Sequence, residues 1–189
     1  MTYPCYSSIN FNSPKKKHNQ FGSQNVYFDK KISLKFNQFK VPFGVNSKYN
    51  NNSINLQIND DSLVQYLDNF DEHIINISEQ NNMLWFNRNI SKCELNNIYK
   101  KSLKKNDKYL PLFYANIHKD CSILNSKGEQ INIDTIINHT IVDAIVECNG
   151  LYFNSKSYSL SWSIVSLISY PSSTSHQTTL SGYSFIDES

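Results

Sequence analysis

Lysines and aromatic rings interleave along the front of the chain: Lys15, Lys16, Lys17, Phe21, Tyr27, Phe28, Lys30, Lys31, Lys35, Phe36, Phe39, Lys40, Phe43, Lys48 and Tyr49. Ammonium groups neutralise phosphates, and exposed rings stack on bases for about 1–3 kcal/mol each, so a groove for an unpaired polynucleotide needs these two residue types together. The competing reading makes the rings core and the lysines ordinary strand surface. Lys100, Lys101, Lys104 and Lys105, at helical i and i+4 spacing, offer a second basic face or simply a solvated helix end.

No pattern for covalent or acid–base chemistry accompanies them. The chain has no P-loop, no G-x-S-x-G, no H-E-x-x-H and no dinucleotide glycine fingerprint. Its histidines, at 18, 73, 118, 139 and 176, are dispersed, and Asp71-Glu72-His73 is expected on the solvated side of a helix. Cys5, Cys93, Cys121 and Cys148 form no C-x-x-C pair and have no His at zinc spacing, so reduced structural thiols are expected, with no metal and no cofactor. An enzyme is not expected.

The 189 residues suit one domain with tails, and 39% hydrophobic with 13% aromatic residues is a globular composition. Asn, Lys and Ile number 26, 17 and 20 against the lone Arg88, the usage of an AT-rich genome. The net charge of +2 hides a gradient: residues 1–48 hold eight Lys against Asp29, whereas residues 49–170 hold ten basic and thirteen acidic residues. No apolar run approaches the roughly 20 residues of a membrane span, and the N-terminus lacks a secretory pattern, so an intracellular protein is expected, in host cytoplasm, viral factory or nucleus.

The elements that must carry these residues follow from periodicity. Alternation predicts strands over Val26–Phe28, Ile32–Val41, Ser53–Ile58, Leu112–Ile117, Ile131–Ile133, Thr140–Cys148, Leu151–Phe153 and from Tyr158 onward, with Asn149-Gly150 a turn or bulge. Leu63, Leu67, Phe70, Ile74 and Ile77 fall on one helix face behind an Asp60-Asp61-Ser62 cap, and the capping box Ser91–Glu94 starts a shorter helix. Trp85 and Trp162 are expected to be packed. Strands, two helices, then strands predict a mainly β fold: an OB-fold, a five-stranded antiparallel barrel with one or two helices between strands. The expected organisation is a flexible basic N-terminal arm over 1–20, the barrel domain over 21–170 and a disordered tail over 171–189 that ends Tyr183-Ser184-Phe185-Ile186-Asp187-Glu188.

A succession of short motifs carries a family resemblance. Ile9-Asn10-Phe11-Asn12-Ser13-Pro14-Lys15-Lys16-Lys17, Val26-Tyr27-Phe28, Val41-Pro42-Phe43-Gly44-Val45, Leu67 to Ile75, Leu84-Trp85-Phe86, Tyr109-Leu110-Pro111-Leu112-Phe113, and Cys148 to Phe153 followed by Ser161-Trp162 appear in order. They resemble the single-stranded-DNA-binding proteins of nucleocytoplasmic large DNA viruses, over about residues 9–170. The resemblance implies an OB fold related to the replisome single-stranded-DNA-binding proteins of tailed phages, a role in viral DNA replication and no catalysis. It also implies a C-terminal tail that engages viral replication proteins.

On this reading Lys15, Lys16, Lys17, Lys35, Lys40 and Lys48 contact phosphates, and Tyr27, Phe43, Tyr49 and Tyr152 stack on bases, with single-stranded DNA as the partner. A protein-interaction adaptor or minor virion component, and an RNA-binding module, stay open as alternatives, as does the oligomeric state.

Overall fold

The computed structural model describes residues 3–16, 24–48 and 51–171, Lys16 and Lys48 by their backbone alone. Lys17, Tyr49 and the tail beyond Pro171 therefore lie outside the described residues. A two-residue strand, β1 (Lys15–Lys16), precedes the long β2 (Gln24–Val41). The alternation in β2 sends Val26, Phe28, Ile32, Leu34 and Phe36 inward and Lys31, Ser33 and Lys35 outward. The two strands expected here are one, kinked where the register slips between Tyr27 and Ile32. A second slip follows Phe36, where Gln38 takes φ +58° and its N–H donates to the Asp143 carboxylate at 2.7 Å.

β3 (Val45–Lys48) and β4 (Asn51–Gln57) follow, then three helices, β5 (Tyr99–Lys100), β6 (Leu103–Asn106), β7 (Tyr109–Asn125), β8 (Thr140–Phe153) and β9 (Tyr158–Tyr170). Pairing runs β2–β8–β9–β7–β4 and closes back on β2 through Lys40 and Gln57. Within this ring β7 and β9 run parallel and every other pair is antiparallel. The barrel holds Phe36, Phe113 and Trp162 in edge-to-face contact, 5.0 and 5.4 Å between successive ring centroids. Asn149-Gly150 is a bulge inside one continuous β8 rather than a turn between two strands.

The helices sit between the second and third barrel strands. α1 (Asp61–Gln80) starts at Asp60, whose carboxylate accepts from the N–H groups of Ser62 and Leu63. Its apolar stripe faces the barrel, with the Phe70 ring against Phe28 and Trp162. α2 (Asn82–Phe86) buries Trp85, and α3 (Lys92–Ile98) is capped by the Ser91 hydroxyl accepting from Glu94 N–H. The Glu94 carboxylate does not close the box; it pairs with Arg88 at 2.8 Å.

Two expectations are corrected here, on Ile131–Ile133 and on Lys100–Lys105. The described residues ahead of β2 meanwhile make ring contacts with the domain: Tyr3 stacks on Tyr66, Tyr6 on Phe70, and Phe11 lies against Phe28 and Trp85. Those rings bury apolar area that the charge of the segment concealed. Ile131–Ile133 forms no strand, only a bridge between Gln130 and Leu124 and then a 3-10 turn capped by Asn132. Lys100, Lys104 and Lys105 lie in β5 and β6 rather than on a helix, because α3 ends at Ile98.

Asp71 is the largest departure. Instead of facing solvent it is fully buried, accepting from the Tyr99 hydroxyl at 2.7 Å, Ser102 N–H at 2.8 Å and the Ser102 hydroxyl at 2.8 Å. Trp162 Nε1–H donates in turn to Ser102 Oγ at 3.0 Å. Burial pushes the carboxyl up to about 6, against the opposing pull of these donors. A folded-state value above the unfolded one means that the native state keeps its proton longer as pH rises. The contribution of this group to stability is therefore greatest below about pH 4 and is lost by about pH 6, a change on the order of 3 kcal/mol. Urea unfolding of the wild type and Asp71→Asn at pH 4, 5, 6 and 7 should show the wild type losing that advantage relative to the variant. A difference that stays constant over the series contradicts the assignment.

Candidate nucleic-acid interface

Sheet pairing sets the surface residues in rows. Lys40, half-buried on β2, is level with Gln57, which is level with Leu112, which is level with Lys104 on β6. In the next row Asn55 pairs with Tyr114. On the other edge of β4, the bend 42–44 carries the chain from Lys40, level with Gln57, to Val45, level with Ile54. The bend thus passes beside Asn55 and holds Phe43. Gly44 permits it with φ +66°, where a Cβ would lie 3.2 Å from the Ile136 carbonyl.

Two rings are exposed on these segments: Phe43, 63% exposed, borders a hollow with Val45, Asp134, Ile136 and Asn138, and Tyr114, 51% exposed, stands on β7. The Tyr114 hydroxyl donates to Asn116 at 3.1 Å. Segments 40–45, 53–57 and 103–116 carry Lys40, Lys104, Lys105 and Lys108 against Asp107 alone, with Lys105 drawn to Asp68 on α1. Tyr109, 72% exposed, adds a further ring at the start of β7. Cations around exposed rings can hold phosphates while bases stack.

A second row crosses a different part of the barrel. Lys15 pairs with Asn25, Asn25 with Tyr152, Tyr152 with Ser159, and Ser159 with Lys100. Tyr27 stands two residues along β2 on the same face, opposite Gly150. Its ring is 39% exposed, with the Lys15 ammonium 5.8 Å from the centroid and its hydroxyl accepting from Asn25 at 3.0 Å.

The proposed contact residues thus divide. Lys40 and Phe43 belong to the β4–β7 face, and Lys15, Tyr27 and Tyr152 to the second row. Lys35 joins neither; it lines a small hollow with Tyr3 and Asp60, so a carboxylate shares its surroundings. Lys16 is placed only by its backbone pairing with Gln24. Lys104 is legible in sequence only as part of a second basic group, on a helix rather than a strand, and Tyr114 carries no distinguishing signal, since Leu112 to Ala115 is apolar at every position.

Among the described residues no three His, Cys, Asp or Glu side chains form a group able to hold a metal ion, and no helix is long and apolar enough to cross a membrane. Burial pushes the Cys148 thiol up to about 12 and that of Cys121 to about 11, away from thiolate chemistry.

Closure in the order first, second, third, fifth, fourth strand and back to the first, with the third and fifth parallel, defines an OB fold. On such barrels the second and third strands and the loops beside them form the usual ligand face. Here those strands are β4 and β7. Solved structures share the architecture. The single-stranded DNA-binding protein of bacteriophage Enc34, as a C-terminal truncation, superposes with a TM-score of 0.52 at 13% identity, covering 88% of this chain and 95% of that one. The same phage protein in complex with single-stranded DNA gives 0.50 at 13% identity, over 83% and 93% of the two chains. The gp2.5 single-stranded DNA-binding protein of bacteriophage T7 gives 0.55 at 12% identity, over 83% and 100%. The chain itself belongs to a family of unknown function, DUF5871, whose sequence model matches residues 44–187. No curated protein matches the sequence.

Proposed function

We propose that this protein binds single-stranded DNA with little sequence preference, in viral DNA replication, recombination or repair, and that the β4–β7 face is the primary contact. The observation that carries this reading is the pair of exposed rings, Phe43 and Tyr114, set beside the row Lys40–Gln57–Leu112–Lys104 on an OB barrel. Lys48 and Tyr49, next to the same bend in sequence, serve as further contacts, and Lys16, Lys17 and Lys35 as peripheral ones. The fold shared with phage single-stranded-DNA-binding proteins supports the substrate class, and the ordered motifs over residues 9–170 support a place among the corresponding proteins of nucleocytoplasmic large DNA viruses. The aromatic-acidic C-terminus is proposed to engage other replication proteins.

Fluorescence anisotropy with labelled oligo-dT tests the reading. Binding should weaken steeply as salt rises, because each neutralised phosphate releases counterions. Lys40→Ala with Lys104→Ala should lower the slope of log K against log salt by about 1.4, roughly 0.7 for each phosphate contact on a single strand. A duplex of equal length should bind far less well, since paired bases offer no face to Phe43 or Tyr114. Equal affinity for duplex, or no binding at low salt, would refute the reading.

A further inference from the structure

The row Lys15–Asn25–Tyr152–Ser159–Lys100 lies on the first, fourth and fifth barrel strands and their edges, outside the β4–β7 face. Its chemistry matches that face. The segments that build it, 15–16, 24–27, 99–102 and 149–161, contain Lys15, Lys16, Lys100, Lys101 and Lys156 and no Asp or Glu. Lys15 is held over the Tyr27 ring, an arrangement that leaves its charge available to an anion. By contrast Lys31, further along β2, is tied to Glu147 at 2.9 Å.

The two surfaces are also joined. Lys100 ends this row and Lys104 ends the other, and four residues of chain span at most roughly 14 Å. Between them Ser102 is fixed to the buried Asp71 by both its N–H and its hydroxyl, so the spacing is set by the core rather than by a loose loop.

We propose that the row is a second station for the same DNA strand, so that one unpaired polynucleotide passes over the β4–β7 face and continues across β9 and β8 to Lys15. This rests on the function proposed above and adds a path and a length requirement to it. A short oligonucleotide is satisfied by the β4–β7 face, whereas a longer one gains Tyr27, Tyr152, Lys15 and Lys100.

The test compares oligo-dT of about 4 and about 16 nucleotides, the ends of the range for one OB fold, on the full chain and on Lys15→Ala/Tyr27→Ala/Lys100→Ala. All three positions are exposed, and thermal melts establish that the variant is folded. The expected result is a loss of roughly ten- to hundredfold for the long oligonucleotide and less than about twofold for the short one. If the folded triple variant binds the long oligonucleotide normally, the second station is wrong while the primary face stands; if it loses both lengths equally, the row is no separate station and the assignment of the short oligonucleotide to the β4–β7 face alone is overturned. If the wild type binds neither length, the proposed function itself fails.

Discussion

Phe43→Ala combined with Tyr114→Ala is expected to weaken oligo-dT binding by roughly 30- to 1,000-fold, the loss of two stacking platforms worth about 1–2 kcal/mol or more each. Both rings are largely exposed, so their removal opens no cavity, and the unfolding midpoint should scarcely move. Phe43 is carried by a bend that Gly44 makes possible, and Tyr114 by the β4–β7 ladder through its pairing with Asn55. The Tyr114 ring is already held through its hydroxyl bond to Asn116, which spares binding part of the side-chain entropy cost. Tyr114→Phe, which keeps the ring and loses only the hydroxyl bonded to Asn116, should bind nearly as the wild type does. Retention of full affinity by the double alanine variant would remove stacking from the mechanism and leave a merely cationic surface.

The second large effect is on folding. Gly150 has φ +150°, and a Cβ there would lie 2.1 Å from the Val26 carbonyl oxygen and 2.8 Å from Tyr27 Cα. These are backbone atoms of the paired strand, so no side chain can swing aside. Gly150→Val must either push β2 from β8 or unwind the bulge, and the combined overpacking and backbone strain costs about 3–5 kcal/mol. A domain of ordinary stability, about 5–15 kcal/mol, would lose a fifth of its margin or more. Urea titration should show a large fall in midpoint, whereas Gly128→Ala, with φ +83° but open space around the Cβ, should cost only about 1–2 kcal/mol. Similar midpoints for the two variants would show that the close approach at Gly150 is not tight.

How much was legible in advance depends on the range of the interaction. Strand alternation in β2 and β9, the apolar stripe from Leu63 to Ile77 and the caps at Asp60 and Ser91 are written within a few residues of themselves. Each matches the structure because sterics and local hydrogen bonds decide it. The packing of Trp85 and Trp162 was legible too, since rings of that size seldom stay in water. Asp71 misled because a carboxylate at a polar helix position looks solvated until Tyr99 and Ser102, some thirty residues later, supply its donors. The lysines at 100 to 105 misled because their spacing fits a helix equally well, and only pairing with β9 and β7 extends them.

By itself, then, the sequence determined a β-rich barrel with a helical insertion, an excess of lysine and aromatic residues near its front, and the caps and stripe of its main helix. Which rings remain in solvent was decided only by the tertiary structure. Phe36 and Phe43 are the same residue type seven positions apart, yet closure of β2 on β8 and β4 seals the first in the barrel and leaves the second on the bend outside. Rows such as Lys15 to Lys100 exist only once strands distant in sequence are hydrogen-bonded side by side, because register is a property of pairs of strands and no single strand contains it.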